Sequence, residues 1–304
     1  MKKIKSILIA PVERLKDSWI EYSHALYVLL VIAGLFFHNI QQKTDFQAQV
    51  VLFAVLFYFV ILLFFLGYFI HAYARKARYA EAICCIHDSI HSIRDTTAYL
   101  KKCYLHQERY ELSKFIQSLQ NTIDPVAMAF TLVTGTKCRV AIKILGGGNE
   151  QALYVKTLCR DSQSTKNCNN KDIQEGQQHL VSKNTDYNLI LHNGRNIFLH
   201  NSLNDDPNYM NTSRNNNNEK LPYSAAIVLP IRLVVHDNIN KEPRQKVMGF
   251  LAIDSSSRNT FTEKYDVQMG ATVADALFPV IDVWSRVHDR YFSEMKAQEV
   301  TTPC

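Results

Sequence analysis

One apolar run limits what this chain can fold into more than any other feature of its sequence. From Gln49 to Ile70 it reads QVVLFAVLFYFVILLFFLGYFI, without a charged side chain, and the basic residues Arg75, Lys76 and Arg78 follow it. About 20 helical residues, rising ~1.5 Å each, match the ~30 Å hydrocarbon core of a bilayer. A buried helix with Phe and Leu on every side would need a very large core around it. We therefore interpret the run as a transmembrane helix.

A weaker apolar segment, residues 22–40, precedes this run and is interpreted as its partner. Alone it could be the apolar region of a signal peptide, but no small-residue cleavage site follows Phe37, and the second apolar run begins soon afterwards. The sequence thus predicts a transmembrane hairpin over residues 22–72, with spans at 22–40 and 49–70, after a cytoplasmic segment at 1–21.

Basic residues are concentrated outside this hairpin. The loop between the spans carries only Lys43, whereas Lys2, Lys3, Lys5, Arg14 and Lys16 precede the spans and three basic residues follow them. The positive-inside rule then predicts a multi-pass inner (plasma) membrane protein with both termini in the cytoplasm. Because these charges face anionic lipid, the formal net charge of +6 does not indicate a nucleic-acid polymer as partner.

Residues 73–121 are predicted to form a helical linker, since they contain neither Gly nor Pro. Apolar residues recur at steps of three and four, which is typical of a coiled-coil seam and indicates a homodimer. The phase changes through Glu108 and resumes at Leu112, which we interpret as a stutter. The alternative is a single-chain helical hairpin that packs on itself. The seam consists of Ile83, Ile86, Ile90, Ile93, Thr97, Leu100 and Tyr104, then Leu112, Phe115 and Leu119.

Four side chains of this linker have metal-ligand chemistry. Cys84, His87 and His91 share one side of the predicted helix, and Asp88 is adjacent to them. The same residues also lie beside the Ile seam, where polar residues normally flank a coiled coil. We favour that second interpretation and predict no metal site.

At Asp124 and Pro125 the apolar period changes from 3.6 to 2, which predicts strands. Residues 139–145 and 153–158 should form a hairpin around the turn Gly-Gly-Gly-Asn. The glycines do not form a phosphate loop, because GxxxxGK[ST] is missing and a strand, not a helix, follows.

The remaining chain alternates polar loops with short apolar segments. A capping box of Thr260 and Glu263 is expected to open the last helix, whose apolar face runs from Met269 to Trp284, with a slight bend at Pro279. The other expected elements are a helix at 185–192, a short strand at 197–200, a long loop at 204–220, and strong strands at 224–235 and 247–254.

These elements carry a resemblance to a known family. The order FLHN, then YSAAIVLPI, then GFLAIDS, then Phe261 and a closing helix, resembles a GAF domain over residues 122–290, with a tail at 291–304. The resemblance implies an α+β fold, namely an antiparallel sheet with flanking helices and a small-molecule pocket. Together with the N-terminal part, it implies a membrane-anchored sensory protein. An NKFDE-type motif is missing, so the resemblance does not name the ligand or a cofactor.

The pocket candidates follow from position within this resemblance. Arg214 in the long loop suits a phosphate or carboxylate, which favours an anionic ligand such as a nucleotide. The ligand-binding candidates are Phe198, His200, Tyr209, Arg214, Tyr223, Ser224 and Asp254.

Three functions are compatible with this layout. The favoured one is a receptor, not an enzyme, that binds a small molecule and signals through a dimeric helix to a separate effector protein. The first alternative is a ligand-gated, membrane-disrupting effector of a bacterial antiphage system. The second is a GAF-fold thiol reductase, for which Cys138, Cys159 and Cys168 would be available. The seven cysteines are odd in number and lack a CxxC pair, as expected for reduced thiols in the cytosol.

The charge distribution predicts the topology directly. Reporter domains fused after residue 20 and after residue 80 should both report a cytoplasmic location, because basic residues flank the hairpin on its outer sides. A periplasmic signal from either fusion would contradict the hairpin.

Overall fold

A computed structural model describes residues 46–106, 108–147, 153–165, 179–212, 221–236 and 243–301. The chain divides into two compact units, residues 1–80 and 81–304. The predicted N-terminal segment and first span, together with Cys168 and Arg214, lie outside the described residues.

The first unit, as far as it is described, consists of the first part of helix α1 (Phe46–Leu105). Within the described residues, α1 is the one helix long and apolar enough to cross a membrane, and none of its most apolar stretch is buried. Side chains such as Phe59 and Phe69 are more than half exposed. Such a surface is typical of a helix that faces lipid or a partner. The two-span hairpin stays a prediction.

The second unit is an α+β domain built on a six-stranded antiparallel sheet with the order β3-β2-β1-β6-β5-β4. Its helices after α1 are α2 (Leu112–Thr134), α3 (Thr185–Leu191) and α4 (Gln268–Thr301). Its strands are β1 (Cys138–Gly146), β2 (Tyr154–Arg160), β3 (His179–Leu180), β4 (Phe198–His200), β5 (Ala225–His236) and β6 (Pro243–Ser255).

The strand pairs expected from the alternating patterns are confirmed. β1 pairs with β2 from Ala141 opposite Arg160 to Gly146 opposite Tyr154, and β5 pairs with β6 along nearly its whole length. The expected short helix and strand, now α3 and β4, are also present. An antiparallel sheet with flanking helices, as the resemblance implied, is therefore confirmed.

Helices α1, α2 and α4 contribute to the larger core, which lies on one face of the sheet. Inward side chains of β1, β5 and β6 pack there against apolar residues of all three helices. At the centre, Phe115 of α2 stacks on Trp284 of α4 with a centroid distance of 5.4 Å. The Trp284 indole nitrogen donates to the hydroxyl of Tyr110, at 2.9 Å, so the one polar group of this ring is satisfied. We call this set of residues the helix-side core.

The predicted continuous linker helix over residues 73–121 is wrong. α1 ends at Leu105 and α2 begins at Leu112, so the change of phase near Glu108 is a break between two helices, not a stutter. Leu100 of α1 and Phe115 of α2 are both buried in the helix-side core, so the two helices contribute separately to the core of the same domain. Among the seam residues, Ile83 is 66 % exposed, whereas Ile93 is buried in its own domain. Contacts with a second copy stay a prediction.

Two expected element boundaries are also wrong. α2 continues through Pro125 to Thr134, since burying the apolar residues beyond the proline offsets the lost backbone hydrogen bond. The last helical segment is not opened by Thr260 and Glu263. Instead, the Asp266 carboxylate accepts hydrogen bonds from the backbone N–H of Thr262, at 2.6 Å, and from its hydroxyl, at 3.0 Å.

The packing of α2 can be tested by truncating its central ring. Phe115→Ala should reduce the free energy of unfolding by about 3–5 kcal/mol, because it leaves a cavity against Trp284. Leu112→Ala, on the same helix but 46 % exposed, is the matched control and should cost less than about 1 kcal/mol. Urea unfolding of the detergent-solubilised chain, followed by tryptophan fluorescence, measures both. Equal stabilities of the two variants would show that α2 is not part of the core.

Candidate functional site

The second face of the sheet carries a second, smaller apolar core together with several charged and aromatic side chains. Directly opposite residues of paired strands project to the same face. Arg139 lies opposite Asp254, and Ala141 lies opposite Ala252 and Arg160. Ala226 of β5 is the other neighbour of Asp254. Small side chains thus form the middle of this face, and charged side chains lie around them.

Three tyrosines from the covering segments lie over this face. Tyr187, on α3, packs on Phe250 of β6 with ring centroids 4.8 Å apart. Tyr209 and Tyr223 come from the chain between β4 and β5, and the Asn211 side-chain amide donates to both hydroxyls, each at 3.0 Å. One amide therefore fixes two rings relative to each other. We call these tyrosines, with the charged residues beneath them, the polar cluster.

Arg139 is held by three contacts within the polar cluster. Its Nε donates to Asp254 Oδ1 at 2.6 Å, and its Nη2 donates to the carbonyl of Pro222 at 3.1 Å. The guanidinium carbon also lies 5.9 Å from the ring centre of Tyr223. Burial raises the pKa of Asp254, and the neighbouring Arg139 acts in the opposite direction. The pair places a fixed cation at one end of the face.

Lys143 supplies a second cation on the same strand. It lies two pairs along from Ala141, opposite Phe250 of β6, and its Nζ is 5.9 Å from the ring centre of Tyr187. Together with Arg160 on β2, this face holds three cationic side chains from adjacent strands.

Asp186 is the most deeply buried carboxylate of the cluster, at 4 % exposure. Burial raises its pKa to about 6, although the backbone N–H of Tyr187 donates to Oδ1 at 3.0 Å and the charge of Lys143 lowers the pKa. The hydroxyl of Tyr209 donates to Oδ2 at the longer distance of 3.4 Å. This carboxyl group therefore gains or loses a proton near neutral pH.

Most of the binding residues predicted from the sequence lie together here. Tyr209, Tyr223 and Asp254 belong to the polar cluster. Phe198 is buried and stacks on Tyr209, with centroids 5.8 Å apart, and on His200, at 6.2 Å. His200 Nε2 also lies 3.4 Å from an Asp206 oxygen. Whether these residues touch a ligand stays a prediction.

Ser224 has a structural role at the entry of β5. Its backbone N–H donates to the carbonyl of Ser255 at 2.8 Å, and its hydroxyl accepts from the Asn204 amide at 3.4 Å. Arg214, the remaining candidate, lies outside the described residues.

Sequence reasoning missed Arg139, Lys143, Arg160 and Asp186 as site residues. One signal was available for two of them. Arg139 and Lys143 are four positions apart in an otherwise apolar strand, so both lie on the same face of the sheet. For Asp186 no comparable signal existed, since its burial depends on how α3 packs on β4 and β5.

Two of the three thiols named for the reductase alternative lie on the other face of the sheet. Cys138 and Cys159 are buried in the helix-side core. Burial raises the pKa of Cys138 to about 11 and that of Cys159 to about 12. Both are therefore protonated at neutral pH and poor nucleophiles. Within the described residues, no group of three or more His, Cys, Asp and Glu side chains is placed to hold a metal.

A separate depression of about 440 Å³ lies where α1 ends and α2 begins, and it is open to solvent. It is lined by residues 109–113 and Tyr291. The depression contains none of the binding residues predicted from the sequence. We place the candidate site on the polar cluster, because charged and aromatic side chains converge there.

Comparisons with known proteins give structural likeness only. No protein-family model and no curated protein sequence matches the chain. Among solved structures, it is similar to a type II free methionine-R-sulfoxide reductase from Thermoplasma acidophilum, with 18% identity, a TM-score of 0.37, and coverage of 56% of this chain and 95% of that one.

Two GAF domains of phosphoenolpyruvate-protein phosphotransferases are similar to the chain as well. The Acinetobacter domain has 12% identity and a TM-score of 0.36 and covers 63% of this chain and 90% of its own. The Coxiella burnetii domain has 9% identity and a TM-score of 0.38, with coverage of 67% and 97%. Values this low assign neither a family nor a function.

The buried carboxyl group predicts a pH dependence of stability. The pKa of Asp186 is raised to about 6 in the fold, so ionisation destabilises the folded state as pH rises from the unfolded pKa of ~3.9 through the folded one. Asp186→Asn should therefore be more stable than the wild type at about pH 8, by roughly 2–3 kcal/mol, and nearly equal below about pH 4.

Urea unfolding of both proteins across this pH range measures the difference, with Asp275→Asn, an exposed position on α4, as the matched control. A difference between Asp186→Asn and wild type that is independent of pH would contradict the assignment.

Proposed function

We propose that this protein is a membrane-anchored sensor whose second unit binds a small anionic molecule in the polar cluster. The GAF resemblance of its sequence motifs supports the sensory role. The apolar stretch of α1 supports the membrane anchor. The basic residues on the outer sides of the predicted hairpin support a cytoplasmic location of both termini in a bacterial cell.

One observation carries the choice of an anionic ligand. Three cationic side chains from two adjacent strands, Arg139, Lys143 and Arg160, lie on one face of the sheet, around small residues and beneath aromatic rings. Ligand sites in proteins are typically apolar and aromatic, with a few converging polar groups that fix the ligand. An anion would find charge-assisted donors here, and Arg in particular presents a planar fork to carboxylates and phosphates.

The charge balance of this face supports the same choice. Asp254 is paired with Arg139, and Asp186 has its pKa raised to about 6 and is easily neutralised. Among the described residues of this face, three cationic side chains thus accompany two carboxyl groups, in a region where burial strengthens electrostatic attraction.

The proposal is for a binding protein and not for an enzyme. The two buried thiols of the helix-side core face away from the polar cluster and are protonated, which disfavours a reductase that depends on them. Output would pass through α1 and α2 to a separate effector protein, in a homodimer. Disruption of the membrane by the spans themselves is the alternative.

The ligand class can be tested by removing one lysine charge on each face of the β1–β2 strand pair. Lys143→Met keeps the length of the side chain and removes the cation beneath Tyr187. Lys156→Met is the matched control, because Lys156 on β2 lies opposite Ile144 and is exposed on the other face. Thermal-shift and calorimetric screening would use cyclic mono- and oligonucleotides, with the neutral nucleosides as comparison.

We expect an anionic compound to stabilise the wild type and Lys156→Met equally, and to bind Lys143→Met at least about tenfold more weakly, which is ~1.4 kcal/mol for a lost charged contact. Equal binding by all three proteins would show that the site is elsewhere. Stronger stabilisation by the neutral compounds would overturn the anionic class.

A further inference from the structure

Two histidines of α1 form a cluster that the proposed function does not use. His87 and His91 are one helical turn apart, and both are exposed. Their Nε2 atoms lie 2.8 Å from each other, with ring centroids 4.3 Å apart and ring planes almost perpendicular, at 87°. The two nitrogens therefore converge on one point outside the helix.

In the absence of a bound ion, this geometry requires a proton between the rings. One imidazole donates an N–H and the other accepts it, an arrangement worth only about 1 kcal/mol in water. When both rings are protonated, two cations face each other at this distance. Exposed side chains have room to avoid such a contact, because each ring can rotate into solvent.

A metal ion could take the place of that proton and be coordinated by the Nε2 atoms of both rings. Neutral imidazole is a preferred ligand of Zn²⁺, with Zn–N distances of about 2.0–2.1 Å. In tetrahedral coordination the two nitrogens would be about 3.3 Å apart, which small rotations of exposed side chains can provide. Residues at i and i+4 of a helix are neighbours on one side, so the backbone already holds the two ligands in register.

We propose that His87 and His91 form a two-histidine binding site for a divalent transition metal of the zinc class. Within the described residues, no third His, Cys, Asp or Glu side chain completes the set. Solvent fills the other coordination positions, which makes this an open and exchangeable site and not a structural zinc site. A bound ion would join two turns of α1 near the start of the second unit.

Zinc titration of the purified full-length chain in detergent tests this proposal. Calorimetry at about pH 7.5 should show one equivalent of Zn²⁺ that is bound by the wild type and lost from His87→Ala and from His91→Ala. Alanine suits a helix, so helix content measured by circular dichroism should be unchanged in both variants. His106→Ala removes an exposed histidine just past the end of α1 and is the matched control, which should retain the equivalent.

Two further measurements separate this site from the thiols. The same equivalent should be released as the pH is lowered, because protons compete with the metal for the ring nitrogens. Cys84→Ser should retain it, because the proposal assigns no role to that thiol. The proposal is overturned if the His87→Ala and His91→Ala variants bind as much Zn²⁺ as the wild type, or if Cys84→Ser alone loses the equivalent.

Discussion

The sheet depends on a close approach of two backbones at Gly249. A Cβ atom at this position would collide with the carbonyl oxygen of Lys143 on the neighbouring strand, so no other residue type fits without moving β1. Gly249 pairs with Ile144 on one side and Ile231 on the other. Directly beside it, the β5–β6 register shifts between Ile231 and Arg232, with Met248 of β6 as the extra residue. The β1–β2 register shifts as well, between Ile142 and Lys143. Bulges of this kind bend strands and redirect side chains.

This constraint links the fold to the candidate site, because Lys143 is both the residue that Gly249 approaches and a cation of the polar cluster. β1 carries Val140 and Ile142 into the helix-side core and Arg139 and Lys143 to the opposite face. The same strand packs against α2, so β1 connects the polar cluster to the helix side of the domain.

The two faces of the sheet are stabilised in different ways. The helix-side core is apolar, and burial of rings such as Phe115 and Phe130 stabilises it. The other face also buries apolar side chains, such as Leu203 and Phe250, and adds hydrogen bonds of two amides, Asn211 to two tyrosines and Asn204 to the backbone around Leu221. Each such bond contributes about 1 kcal/mol in addition to the burial of apolar side chains.

The sequence alone determined the features that depend on local pattern. Period-two alternation predicted β1, β2, β5 and β6 and their pairing, and apolar steps of three and four predicted the buried face of α4 from Val273 to Trp284. The apolar run that begins at Gln49 predicted an apolar helix long enough to cross a membrane, which is the first part of α1. Aromatic candidates such as Phe198 and Tyr209 were also found from sequence, because their position relative to the strands could be read from the motifs.

Only the tertiary structure decided where the long helix ends and which charges meet. The seam residues Leu100 and Phe115 look like a continuous coiled coil, because local periodicity does not distinguish a partner helix from the helix-side core of the same domain. Arg139 and Asp254 are 115 positions apart, and they meet because strand register places them opposite each other. Asp186 has a raised pKa only because α3 packs over the sheet and removes it from water. Burial and register are non-local, whereas periodicity and composition are local, and this difference separates what the sequence could predict from what it could not.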